Sequence, residues 1–147
     1  ETGCVTASEQ FLKGDPYTQD SVDYLKMAFK KHWQQIDSKL ARLLQEKTWV
    51  CVAGTPTTLA ALDAGCKTFE PDKVNGYVMT RNNVETLFNE LTSQTERKRL
   101  DHPVIGPGRS DIIVAGTAIL VTAMEVFKKN EVTVSVRGLR HGLLLAG

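Results

Sequence analysis

The residues best suited to chemistry in this sequence form a junction between an apolar run and the start of a helix. Residues 49–52 read WVCV, which predicts a buried strand, and Ala53-Gly54 then lets the chain turn without a bulky side chain. Thr55 can cap a helix through its hydroxyl, and Pro56 suits a first helical position. Unpaired backbone N–H groups and the helix dipole attract anions at such a start, so the chemistry predicted above Gly54 is anion binding.

Two further features leave alternatives open. A strand–glycine–threonine–helix junction also occurs as a plain βα turn that binds nothing, and these residues alone do not decide between the two interpretations. A basic cluster, Arg97, Lys98 and Arg99, is either a solvated helix face or a contact surface for a polyanion.

Composition limits the class of protein. The 147 residues suit one domain or part of one, and an apolar content of 41% is sufficient for a core. Eighteen basic and 17 acidic residues give a net charge of +1, which indicates neither a nucleic-acid nor a membrane partner.

The three cysteines, Cys4, Cys51 and Cys66, are odd in number, far apart and without metal-ligand spacing. They predict reduced thiols in a cytoplasmic protein, with Cys51 in the core.

Hydrophobic periodicity predicts the elements that must position the junction. An apolar stripe with steps of three and four predicts one amphipathic helix over 20–46, and a segment apolar nearly all round predicts a buried helix over 110–128. Further helices are expected at 55–64, 81–93 and 138–145, with a short one near 95–100 and a loop over 66–72. Strands are expected at 49–53 and 132–136, with a less regular extended segment over 74–79. Because each of the two strands feeds a helix, we expect an α/β fold with parallel strands.

Three sequence blocks carry a resemblance to a known family. GTPTTLAAL (54–62), GRSDIIVAGTAIL (108–120) and VTVSVRGLRHGLLL (132–145) follow one another at suitable spacing, and GCVTASEQFLKGDP (3–16) fits the segment before them. Together they resemble the C-terminal half of the exopolyphosphatase/guanosine-pentaphosphate phosphohydrolase (Ppx/GppA) family. The resemblance covers essentially the whole chain.

The resemblance implies a fold. Ppx/GppA proteins are similar to the actin/hexokinase/Hsp70 (ASKHA) superfamily, in which two ribonuclease-H-like domains flank a cleft. Residues 1–147 would then be the C-terminal part of the second actin-like ATPase domain, helix-rich with a small, mainly parallel sheet. The GTPTTLA block corresponds to the adenosine motif of that superfamily. The AGTAIL block corresponds to its second connecting helix, which places Ala115 and Gly116 in hinge and interdomain packing.

The resemblance also implies an activity and a site. Family members hydrolyse terminal phosphoanhydride bonds of inorganic polyphosphate or guanosine pentaphosphate with a divalent metal, usually Mg²⁺. By analogy, Gly54, Thr55, Thr57 and Thr58 would line the cleft, and Arg109 would reach a phosphate. His141 stands where relatives often have an acidic residue, and the sequence assigns it no role.

The matching region lacks the catalytic parts of the family pattern. Its two phosphate-binding loops and its general-base glutamate would lie before Glu1, so the chain is expected to be an inactive fragment with no catalytic residue and no Mg²⁺ ligand of its own. A start at Glu1 and not at a methionine favours the same interpretation. The missing N-terminal domain is then the expected partner, and an uncovered sheet edge predicts self-association, for example as a homodimer. The alternative is a non-catalytic superfamily member that acts as a nucleotide or phosphate sensor or as an assembly module. The residues upstream would decide between these two functions.

Overall fold

The computed structural model describes residues 3–146. The helices are α1 (Cys4–Phe11), α2 (Gln19–Gln34), α3 (Ser38–Glu46), α4 (Gly54–Asp63), α5 (Pro71–Val74), α6 (Arg81–Ser93), α7 (Glu96–Leu100), α8 (Ile113–Val126) and α9 (Leu139–Ala146). The strands are β1 (Val50–Cys51), β2 (Val78–Thr80) and β3 (Glu131–Val134). The helices predicted around residues 55–64, 81–93, 95–100, 110–128 and 138–145 are confirmed, with ends that differ by a few residues.

The sheet has three strands in the order β1-β3-β2. β1 and β3 are parallel, with Cys51 opposite Val134, and a helix follows each of them, as predicted. The extended segment predicted over 74–79 contributes β2, which pairs antiparallel with β3 through Met79 and Val132. The fold is therefore α/β, helix-rich, with a small mixed sheet whose central strand buries Val132 and Val134.

The prediction that residues 49–52 form a buried strand is wrong. Val50 is 60% exposed and Val52 is 41% exposed. β1 is also an edge strand, with β3 as its partner within residues 3–146. Cys51 is only half-buried, and Cys66 is the buried cysteine. The thiols of all three cysteines are free, as expected.

The helix predicted over 20–46 is broken into α2 and α3. The Asp37 carboxylate accepts hydrogen bonds from the backbone N–H groups of Lys39 and Leu40, so Asp37 caps a new helix in place of continuing the old one. The apolar stripe continues through the break, but only its first part reaches the core. Leu40 and Leu43 on α3 remain 47% and 43% exposed.

Threonine caps and one glycine explain where several other helices begin or end. Thr18, Thr80 and Thr95 cap α2, α6 and α7 through their hydroxyls. α4 ends in a Schellman motif, in which Gly65 adopts φ of 66° and its N–H donates to the Leu62 carbonyl. A short helix, α5, forms across the end of the loop predicted over 66–72 and the start of the extended segment predicted over 74–79.

α8 is the centre of the core, as its composition predicts. Most of its residues are buried, and it packs against α1, α2, α4 and α6. Despite this apolar character, none of the helices in the described part of the chain is both long and apolar enough to span a membrane.

Gly116 marks the place where α8 approaches the first turn of α4. A Cβ atom at Gly116 would collide with Thr55 Oγ1 and would lie only 2.9 Å from Thr55 Cγ2 and 3.1 Å from Thr55 Cβ. The absence of a side chain therefore lets the two helices meet. That Ala115 and Gly116 also pack at an interdomain hinge stays a prediction.

Gly116→Ala is expected to lower the free energy of unfolding by about 1–3 kcal/mol, the usual effect of overpacking a core. This cost exceeds the gain of about 1 kcal/mol that alanine brings to a helix interior. Urea unfolding followed by circular dichroism measures it. Gly142→Ala in α9 is the control, since a Cβ there meets nothing within 4 Å. Thr55→Ala in the Gly116→Ala background should restore part of the loss, and equal stability of the two glycine variants would contradict the close approach.

Candidate anion-binding site

The first turn of α4 lacks a side-chain cap. The N-cap residue is Ala53, with φ of 78°, and the helix begins at Gly54, so Thr55 is not the cap that the sequence predicts. Pro56 is the third helical residue and not the first. No side chain accepts from this turn, so the backbone N–H groups of Gly54 and Thr55 are left for another acceptor. Pro56 has no N–H, and the Thr57 N–H donates to the Ala53 carbonyl.

Arg109 lies against this turn although it is far away in sequence. Its Nη1 donates to Thr58 Oγ1 at 2.7 Å, and a Cβ atom on Gly54 would lie 3.4 Å from its Nε. The fold thus brings Gly54, Thr58 and Arg109 together, and that they bind a phosphate stays a prediction. One guanidinium N–H is used on Thr58, and others remain for a ligand.

The predicted threonines have different surroundings. The Thr57 hydroxyl donates to the carbonyls of Ala53 at 2.9 Å and Gly54 at 3.1 Å, which fixes the turn. Thr58 is fully buried and holds Arg109, and Thr55 faces Gly116. Of the predicted residues, Gly54, Thr57 and Arg109 line the surface groove described next.

A groove of about 520 Å³ opens above the turn. Since β1 and β3 are parallel neighbours, α4 and α9, which follow them, both start at the same edge of the sheet, where ligands of open α/β folds usually bind. The lining residues come from both strand-to-helix connections, from Arg109 and from the loop after α4: Val52, Ala53, Gly54, Thr57, Phe69, Arg109, Val136, Gly138, Arg140 and His141.

The electrostatics of the groove favour an anion. Arg109 and Arg140 are cationic, and the lining residues among positions 3–146 include no carboxylate. The N-terminal ends of α4 and α9 add the positive ends of two helix dipoles. Burial raises the pKa of the nearby Cys51 thiol, which keeps it protonated and unsuited to act as a nucleophile.

Sequence reasoning missed Phe69, Val136 and Arg140 and assigned no role to His141. The signal for Arg140 and His141 was present, because two parallel strands that each feed a helix place both helix starts at one edge. Phe69 lies in a loop, and no pattern in the sequence marks it.

The basic cluster predicted at residues 97–99 does not exist as one surface. Arg97 is exposed and pairs with Asp101 at 2.9 Å, whereas Arg99 is fully buried. A polyanion therefore has no three-residue patch to bind there.

Comparison with known proteins shows the family of this chain. The model of the Ppx/GppA phosphatase family matches residues 1–146. The chain belongs to this family. Exopolyphosphatase 2 of Mycobacterium tuberculosis is 23% identical over 150 residues, which cover 99% of this chain and 47% of that protein. The chain thus spans about half the length of its Ppx/GppA relatives.

Solved Ppx/GppA structures show the same fold. One structure of the Aquifex aeolicus family member has 30% identity and a TM-score of 0.86, and covers 98% of this chain and 45% of that one. A second has 29% identity and a TM-score of 0.89, with coverage of 99% and 47%. An exopolyphosphatase from Cytophaga hutchinsonii, at 20% identity and a TM-score of 0.78 over 99% of this chain and 47% of its own, shares the fold. The predicted actin-like, ribonuclease-H-like class is therefore confirmed.

The groove does not fit the Mg²⁺ ion that the Ppx/GppA resemblance implies. Mg²⁺ prefers oxygen ligands, chiefly carboxylates and phosphates, and the charged groups of the groove are cationic. Among residues 3–146, no three His, Cys, Asp or Glu side chains lie together as a metal-binding group. No chemical step is assigned to the metal here.

Proposed function

We propose that this chain is the phosphate-binding half of a Ppx/GppA phosphatase that hydrolyses terminal phosphoanhydride bonds of polyphosphate or guanosine pentaphosphate. The observation that carries the proposal is the position of Arg109 over Gly54, at an uncapped helix start inside a groove without carboxylates. Family membership supports the phosphatase class.

The proposed mode of phosphate binding follows from the hydrogen-bond donors that have no partner within the described part of the groove. Thr58 orients the Arg109 guanidinium, whose remaining N–H groups can form charge-assisted hydrogen bonds to a phosphate. Gly54 has no side chain, so the same phosphate can approach the backbone N–H groups of α4. Arg140, with His141 beside it at the start of α9, supplies charge for a second phosphate group of the same substrate.

Catalysis requires groups that the groove does not offer. Attack on a phosphoanhydride needs a base within hydrogen-bond reach of the water and a metal-assisted clamp on the phosphates. In our proposal the N-terminal half of the full-length protein supplies both and closes over the groove. Binding of that half to the free edge of β1 and to the exposed apolar residues of α3 would cover surface that otherwise promotes homodimers.

Gly54→Val is expected to weaken binding of tripolyphosphate by about tenfold, the effect of losing one charge-assisted contact. The Cβ atom alone would lie 3.4 Å from Arg109 Nε, so the valine methyl groups push the guanidinium away from its phosphate position. Calorimetric titration measures the affinity, and circular dichroism checks the fold.

Gly54→Ala is the matched control, because its Cβ fits at van der Waals distance and should change the affinity much less. Unchanged affinity in a folded Gly54→Val variant would mean that the junction is only a βα turn.

A further inference from the structure

Arg99 is a fully buried cation held by carbonyl groups. Its Nε donates to the Ser110 carbonyl at 2.8 Å, and its Nη1 donates to the carbonyls of Leu91 at 3.1 Å and Gln94 at 2.5 Å. The Tyr17 ring lies 4.6 Å from the guanidinium carbon. Burial raises the pKa of the Tyr17 hydroxyl, so a neutral ring and not a phenolate faces Arg99.

Burying the Arg99 guanidinium in the core costs free energy. The ion pairs found within residues 3–146 do not include Arg99, and its Nη2 is buried without a hydrogen-bond partner. A buried charge without a counter-charge is costly, and an apolar side chain of similar volume would fill the same space at lower cost. The carbonyl contacts are therefore the feature of Arg99 that an apolar residue could not replace.

One of these contacts reaches the candidate site. Ser110 directly follows Arg109, so the bond from Arg99 Nε holds the Ser110–Asp111 peptide group, one residue beyond the side chain that lies against Gly54. In the loop before Arg109, Gly106 and Gly108 adopt φ of 63° and 77°, a left-handed conformation that favours glycine, and the loop has no helix or strand after α7 that would fix Arg109. The other carbonyls held by Arg99 belong to the end of α6 and the residue after it, which are part of the rigid framework.

We propose that Arg99 is a positioning residue for anion binding: its guanidinium ties the Ser110 carbonyl, immediately after Arg109, to the end of α6 and so helps to aim the Arg109 side chain at the start of α4. This inference rests on the proposed phosphate-binding role of Arg109. It requires an arginine, because a planar fork of five N–H groups reaches three carbonyls at once, whereas a lysine is a compact point charge on a flexible stem.

The test compares Arg99→Lys with the wild-type 147-residue chain. We expect tripolyphosphate affinity to fall by about tenfold, the size expected for one misplaced charge-assisted contact. The Arg109 Nε–H signal in NMR spectra should move toward that of exposed arginines. Leu25→Ala is the control, since Leu25 is a fully buried residue of α2 and its loss lowers stability without touching these contacts. Its affinity should equal that of the wild type.

The outcomes separate positioning from a purely structural role. Wild-type affinity and an unchanged Arg109 signal in folded Arg99→Lys would overturn the inference. If Arg99→Lys does not fold, Tyr17→Leu loosens the same guanidinium more gently, and unchanged affinity in that variant would overturn it as well. If the wild-type chain does not bind tripolyphosphate, the proposed function fails, and the Arg109 signal alone then decides whether Arg99 positions Arg109.

Discussion

Replacing Arg109 with alanine is expected to weaken tripolyphosphate binding by about 1.5–3 kcal/mol, or roughly tenfold to a hundredfold. Arg109 is the charged side chain that lies directly against the start of α4, and its guanidinium is already oriented by Thr58. Its loss removes both the charge and the preformed geometry. Calorimetric titration at constant ionic strength measures the change.

Arg97→Ala provides a control with the same change in net charge. Arg97 is exposed, pairs with Asp101 and is not among the residues that line the groove. Its replacement should leave the affinity within about twofold, because exposed charges are screened by salt. Equal losses in the two variants would show that the chain attracts tripolyphosphate through general charge and not through a site.

The second large effect concerns hydrolysis. With Mg²⁺ and polyphosphate, the 147-residue chain is expected to release no phosphate above background, while the full-length Aquifex aeolicus Ppx/GppA enzyme serves as the reference. The residues lining the groove include no carboxylate that could hold Mg²⁺ or act as the general base. His141 also lies in the groove, but one imidazole cannot replace a metal-assisted clamp on the phosphates.

A colorimetric phosphate-release assay on both proteins decides this point. Turnover by the chain comparable to that of the reference would show that the base and the phosphate-holding groups lie within these 147 residues. The proposed division into two halves would then be wrong. Binding without turnover in the chain, together with turnover after addition of an N-terminal half, would support it.

Local sequence patterns correctly predicted the elements that do not depend on distant partners. α8 is apolar nearly all round, so burial was the only favourable environment for it. Thr18 and Thr80 act as caps because a hydroxyl at the first turn satisfies a free N–H group whatever lies nearby. The glycine after an apolar run also predicted the start of α4, although the N-cap residue is Ala53 and not Thr55.

Features that depend on distant partners could not be read from the sequence. Val50 and Val52 are exposed and β1 lies at a sheet edge, whereas a strand pattern specifies neither the neighbouring strands nor the elements that cover its faces. Arg99 follows two exposed basic residues in sequence, yet helix geometry turns it toward the carbonyls that bury it. The pairing of Arg109 with Thr58 joins residues far apart in the chain, and neither spacing nor the family resemblance predicted it.

An NMR titration of the ¹⁵N-labelled chain with tripolyphosphate tests the groove as a phosphate site most directly. We expect the amide signals of Gly54, Thr55 and Thr57, the Arg109 Nε–H signal and the amides at the start of α9 to shift together with one dissociation constant. Signals from α2 and α6, away from the groove, should stay in place. Shifts spread over exposed lysines, with Gly54 and Arg109 unaffected, would contradict the assignment of the groove as the phosphate-binding site.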